Sequence, residues 1–208
     1  MAKSRHRDRR PGRRSPYRDP RRMILVLTEG TKTEPQYLSG IVNSLKNPRV
    51  SIQIAKQHGV PVTLIREAKS LKDASRQLAE SAKDHNLAYD AVWCVFDVDD
   101  HLGISNVKEM ARDNGIELAI SNPCFELWLL LHFRESPGMQ HRQKIVELLR
   151  QNVAGYVKDI RFDLFAGKHI DAKGRARRLD HLADACGEPG QNPTTGVYRL
   201  IEAIEAED

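Results

Sequence analysis

Three cysteines, two tryptophans and no long apolar run set the first limits on this 208-residue chain. Cys94, Cys124 and Cys186 are odd in number, far apart and without a CxxC pair. That excludes a disulfide framework and a cysteine-based zinc site. No stretch approaches the ~18 apolar residues of a spanning helix, and the Arg-rich start lacks the apolar segment of a secretory signal. A soluble chain with no membrane partner, resident in the cytoplasm, is expected. There is no GxxxxGK[ST] string, so the chain is not itself a P-loop ATPase, and there is no internal repeat. What is present is 40% hydrophobic and 29% charged residues, enough apolar material for a packed interior.

The charge is unevenly spread. Residues 1–22 hold ten bases, including Arg9, Arg10, Arg13, Arg14, Arg18, Arg21 and Arg22, against Asp8 and Asp19, a local net of +8. The remaining residues net −3. With Pro11, Pro16 and Pro20 and few apolar residues, this segment cannot build a core of its own and is expected to be a flexible arm. Such an arm suits attachment to nucleic-acid phosphates through counterion release, with Tyr17 available to stack on a base. A solubilising tail, or a strap over an acidic face, has the same composition. The expected division is an arm over 1–22, an α/β core over 23–135 and a helical extension over 136–208 packed on that core.

Beyond the arm, apolar runs alternate with helical periodicity. Met23 to Leu27 is a short, nearly continuous apolar run, as in a strand buried on both faces. Thr33 to Lys46 spaces Tyr37, Leu38, Ile41, Val42 and Leu45 as a helix, with Thr33 as its N-cap candidate. Val50, Ile52 and Ile54 alternate as a strand, and residues 61–85 predict a long helix with Leu64, Ile65, Ala68, Leu71, Leu78 and Ala82 as its stripe. Ala91 to Phe96 predicts a central strand, Ser105 to Asn114 a helix closed by Gly115, and Ile116 to Ile120 a fourth strand. This order implies a doubly wound, mostly parallel α/β sheet of about four strands with helices on both faces. From Pro123 onward the chain reads as mainly helical. Phe125 to Phe133 is apolar almost all round, and further helices are expected near 140–152, 170–186 and 195–206.

Loops leaving the carboxyl ends of parallel strands form the crevice where ligands bind. Glu29 stands at the end of the first strand, before Gly30, whose expected role is a sharp turn. Asp97 and Asp99 follow the third strand, and residues two apart in extended chain point to one side. Crowded carboxylates repel unless a cation joins them. Hard oxygen donors favour Mg²⁺ or Mn²⁺, and such a site, with Asp100 as a further ligand, suits phosphodiester hydrolysis. Glu34, Glu126 and Asn122 are candidates to support it or to hold a second ion. Glu34 equally suits a first-turn acid facing the helix dipole, and a DxD alone equally suits an Asx turn.

Several strings carry a family likeness: the basic leader from Arg9 to Arg22, Leu27-Thr28-Glu29-Gly30-Thr31-Lys32-Thr33-Glu34-Pro35-Gln36-Tyr37, Val95-Phe96-Asp97-Val98-Asp99, Ser121-Asn122-Pro123-Cys124-Phe125-Glu126-Leu127-Trp128-Leu129-Leu130, and Asn192-Pro193-Thr194-Thr195. The acidic part resembles Toprim domains, and the whole resembles the RloB-like family, a Toprim-related group associated with phage defence. The resemblance implies a Toprim-like fold, Mg²⁺ use and a nuclease role beside a separate ATPase. By likeness Glu29 would be the general acid or base, and Asp97 and Asp99 metal ligands.

Other positions bear on the same chemistry. Asn122 and Glu126 are expected to open a helix facing the crevice, where free N–H groups favour an anion. Lys158, beside Tyr156, and Lys168, beside His169, are candidates to contact a phosphate as point charges. His101 is a candidate proton shuttle. Cys124 is expected to be buried rather than nucleophilic. Val92 to Asp99 also resembles the hhhhDxD of haloacid-dehalogenase phosphatases, but that motif belongs on a first strand and this one lies on the third. A noncatalytic nucleic-acid-binding or regulatory subunit of a defence complex is the remaining alternative.

Overall fold

The computed structural model describes residues 22–46, 48–54, 61–98 and 103–206. In chain order the elements are β1 (Ile24–Thr28), α1 (Thr33–Leu45), β2 (Val50–Ile54), α2 (Pro61–Ala82), β3 (Ala91–Asp97), α3 (Ile104–Asp113), β4 (Glu117–Asn122), α4 (Glu126–Leu130), α5 (Arg142–Asn152), α6 (His169–Ala185), β5 (Thr194–Thr195) and α7 (Val197–Glu205). The sheet order is β2-β1-β3-β4-β5. The first four strands are parallel and β5 is antiparallel to β4. This is the mixed α/β, mostly parallel architecture expected, consistent with a Toprim-like fold. No helix among the described residues is long and apolar enough to cross a membrane.

Strand alternation divides the interior into two. Ile24 and Val26 of β1 join Trp93, Val95 and Ala119 beneath α1, α4, α5, α6 and α7. Leu25 and Leu27 join Val92, Cys94 and Phe96 beneath α2 and α3. Each strand therefore presents successive side chains to opposite layers, which is why β1 reads as an unbroken apolar run and is fully buried. Burying each such side chain stabilises the fold by roughly 1.5–3 kcal/mol before entropy. The two layers between them fix β1 and β3 at the centre of the sheet.

Three expectations change. The sheet has a fifth, two-residue strand, because Thr194 and Thr195 pair with Asn122 and Ser121 instead of opening a helix. The stripe of α2 does not run through Leu78, which is 57% exposed; it continues through Lys72, Ser75 and Ala79. Lys72 is buried because its ammonium donates to the carbonyls of Asn114, at 2.9 Å, and of Gly115, capping the end of α3 on the helix's negative pole. The apolar stretch after Pro123 gives only five residues of regular helix, α4, yet all of 124–132 is buried.

Candidate functional site

The order 2-1-3-4 reverses direction between β1 and β3, and a doubly wound sheet opens its crevice at that switch point. Glu29 and Asp97 stand there. The Glu29 amide donates to the Val95 carbonyl at 3.0 Å, extending the β1–β3 pairing by one residue. Asp97 is the last residue of β3, and the Val98 amide bonds to the Ser121 carbonyl at 2.9 Å. Asp97 is only 5% exposed. A buried carboxylate requires a counter-charge, and Arg142, at the start of α5, supplies it with an Nη2–Oδ2 distance of 2.8 Å. Asp99, Asp100 and His101 lie outside the described residues.

Beside this pair is a small cavity of about 130 Å³, lined by Gly30 to Glu34, Glu126, Arg142 and Lys158. Glu34 folds back over Gly30, its Oε2 lying 2.0 Å from where a Cβ on residue 30 would stand. The chain bends at Gly30, as expected, with φ outside the left-handed region, and the absence of a Cβ there leaves the space that the Glu34 carboxylate fills. Burial holds the Glu34 carboxyl above the usual carboxylate range. Its own backbone N–H opposes that, the Glu126 charge adds to it, and Arg142 and Lys158 pull against it.

Glu126 is 3% exposed and accepts a hydrogen bond from the Tyr156 hydroxyl at 3.1 Å. That hydroxyl also meets the Thr33 hydroxyl at 3.3 Å, and Thr33 donates to the Lys158 carbonyl at 3.1 Å. Thr33 was expected to cap its own helix; instead it is the first helical residue and ties α1 to the distant 156–158 loop. Burial, with Glu126 close by, pushes the Tyr156 phenol far above its ordinary value. Cys124 is fully buried, and burial first, then the charges of Glu126 and Asp97, raise its thiol well beyond the physiological range. It is not a nucleophile.

The other candidates divide. Asn122 does not open a helix: it ends β4, its amide donates to the Gly190 carbonyl at 2.9 Å, and it faces a separate cavity also lined by Val98. The helix starts at Glu126. Lys168 is turned away, donating to the Leu164 carbonyl at 3.1 Å and lying 4.3 Å above the Phe133 ring. Of the arm, only Arg22 is described; Arg9, Arg10, Arg13, Arg14, Arg18 and Arg21 lie outside the described residues. Arg142 was missed by sequence reasoning, since a single arginine at a helix start carries no local signal of a partner 45 residues earlier. Among the described residues no three His, Cys, Asp or Glu side chains gather closely enough to hold a metal ion.

A family model described as RloB-like protein matches residues 24–204. The chain belongs to the RloB-like family. The match takes in every described strand and nearly all of the helices, including α5, which brings Arg142 to Asp97. No curated protein and no solved structure matches the chain.

Proposed function

We propose that this RloB-like protein is a divalent-metal-dependent nuclease hydrolysing phosphodiester bonds in DNA or RNA. The observation that carries the reading is the position of Glu29 and buried Asp97 at the carboxyl ends of the paired strands β1 and β3, beside a cavity lined by Arg142, Lys158 and the amino end of α1. Asp97 and Glu29 are hard oxygen donors of the kind Mg²⁺ or Mn²⁺ takes, and with Asp99 and Asp100 they would hold the ion. Bound there, it would polarise a nonbridging phosphate oxygen and acidify an attacking water.

The chain's own groups supply the rest. Glu34, whose carboxyl burial raises above the usual range, is placed to exchange a proton at the cavity wall. The basic arm would supply sequence-independent attachment to the polymer. A role in phage defence beside a separate ATPase, which the family resemblance implies, forms part of the same proposal.

The test is cleavage of labelled DNA, total RNA and tRNA with Mg²⁺, Mn²⁺ or chelator. Cleavage that needs the ion and disappears in Asp97→Asn and Glu29→Gln supports the reading, and cleavage indifferent to both substitutions refutes it. A noncatalytic, nucleic-acid-binding or regulatory role is the second reading. It is favoured by one fact, that Asp97 is already neutralised by Arg142. Under it, nucleic acid binds without being cut and removal of residues 1–22 flattens the salt dependence of binding.

A further inference from the structure

Among the described residues three that are not glycine have positive φ: Lys46, Lys83 and Lys158. The first two close α1 and α2, where left-handed backbone is ordinary for a helix end. Lys158 does not. It lies in the loop after α5 with φ 71°, a conformation disfavoured for any side chain with a Cβ and retained only where the surroundings impose it.

The surroundings impose it firmly. The Lys158 carbonyl accepts from Thr33, the Ile160 amide donates to the Gln36 side chain at 2.8 Å, and the Gln36 amide reaches Asp159 at 3.4 Å. Two residues earlier in this loop, the Tyr156 carbonyl accepts from Arg150 at 3.1 Å and its hydroxyl is fixed on Glu126. The segment is thus bolted to the first turn of α1 on one side and to α5 on the other. From this loop Lys158 lines the 130 Å³ cavity, together with Arg142. That ammonium has no ion-pair partner among the described residues. Glycine would meet the backbone requirement at no conformational cost, so the lysine is explained by what its side chain does in the cavity.

We propose that Lys158 and Arg142 form a phosphate subsite in this cavity, with the left-handed loop serving to present Lys158 to it. The cavity has room for a phosphate group. Two acids share the cavity wall: burial raises the Glu34 carboxyl above its usual range, and Glu126 accepts from the Tyr156 hydroxyl, leaving Arg142 and Lys158 to offset the negative charge that remains. Arg142 already spans the distance between this cavity and Asp97, so a phosphate held here stands next to the crevice at the ends of β1 and β3. The inference rests on the nuclease reading for the identity of the polymer, but the subsite itself requires only a phosphate.

The experiment uses the full chain carrying Lys158→Gly or Lys158→Arg. Labelled single-stranded RNA and DNA oligonucleotides are titrated across a salt series, and inorganic phosphate is tested by thermal shift. Lys158→Gly is expected to melt no lower than the parent, since the strained backbone is relieved. It should nonetheless bind several-fold more weakly, with the slope of log K against log salt shallower by about 0.7–0.9, and should lose the protection phosphate gives the parent. Lys158→Arg should keep both. Oligonucleotide binding and phosphate protection equal to the parent in Lys158→Gly overturn the proposal. If the parent binds no oligonucleotide while phosphate protects it through Lys158, the nuclease reading fails and the subsite stands. Asp97-dependent cleavage that survives Lys158→Gly at full rate leaves the enzyme and removes the subsite.

Discussion

His132 should make the protein acid-sensitive over a window set by its burial. The imidazole is 3% exposed, and the rings of Tyr37, Trp128 and Phe165 surround it at 5.0–5.4 Å. Its Nδ1 faces the Trp128 carbonyl at 2.9 Å, which can only accept, so Nδ1 carries the proton. Nε2 then accepts from the Tyr37 hydroxyl at 2.9 Å. Protonation would abolish that acceptor and place a cation among aromatic edges. Burial accordingly pushes the imidazole down to about 3, with the neighbouring His169 and Lys168 charges acting in the same direction and the backbone carbonyl against it. The unfolded chain takes up a proton near pH 6.5 and the folded chain refuses it until near pH 3. Stability is therefore complete above about pH 6.5 and falls by up to ~1.4 kcal/mol per pH unit below it. Between pH 7.5 and 4.5 this one group removes roughly 2.5 kcal/mol. Denaturant unfolding of the parent and of His132→Gln at both values measures it: the variant starts less stable but should lose about 2.5 kcal/mol less on acidification. Glu34 and Asp180, whose carboxyls burial raises, act with the opposite sign and are common to both proteins, so they cancel in the difference. Equal losses in the two proteins, or an imidazole that titrates near 6.5 by NMR in the folded state, would refute the reasoning.

Removing Arg142 strands the Asp97 carboxylate in a nearly closed site, so Arg142→Ala should cost about 1–3 kcal/mol, less than a fully buried pair because the guanidinium is 42% exposed. Adding Asp97→Asn should recover part of the loss in a double-mutant cycle, and additive losses would show the pair to be uncoupled. A Cβ at position 40 would lie 2.2 Å from the Phe162 ring, so Gly40→Ala should destabilise by about 1–3 kcal/mol in thermal or denaturant unfolding. At position 30 the obstacle is only the tip of Glu34. Gly30→Ala should therefore fold with nearly parental stability while displacing Glu34 from the cavity, read as a loss of any nucleic-acid cleavage without a fall in melting temperature.

The sheet was legible because its signals are local. A strand buried on both faces needs an unbroken apolar run, and β1 and β3 have one; a helix closed by Gly115 needs a left-handed residue, and that glycine has φ 57°. Misreadings occurred where tertiary partners outweighed pattern. On α2 the hydrophobic rule chose Leu78, but the buried face carries Lys72, because two carbonyls at the end of α3 wait for an ammonium that no hydrophobicity scale can register. A helix was expected from about residue 195, yet the open edge of β4 recruits Thr194 and Thr195 as a strand. Asn122, expected at a helix start, was taken into the sheet by the same pairing.

The candidate site was half legible for a related reason. Carboxylates that must sit at strand ends are fixed by the strands themselves, so Glu29 and Asp97 stand in short local strings at the carboxyl ends of two strands that pair directly. Cations that compensate them need only reach the same place, and the chain delivers them from wherever a loop or helix happens to pass. Arg142 comes from the start of α5, and Lys158 from a loop that Thr33 and Gln36 hold from 120-odd residues away. Nothing in the neighbourhood of either residue in sequence announces this. The backbone at Lys158 is the exception, since a lysine held left-handed outside a helix end marks in the fold what the sequence leaves unmarked. If that strain proves to serve no ligand, then the chemistry of the crevice must rest on its acids and on Arg142.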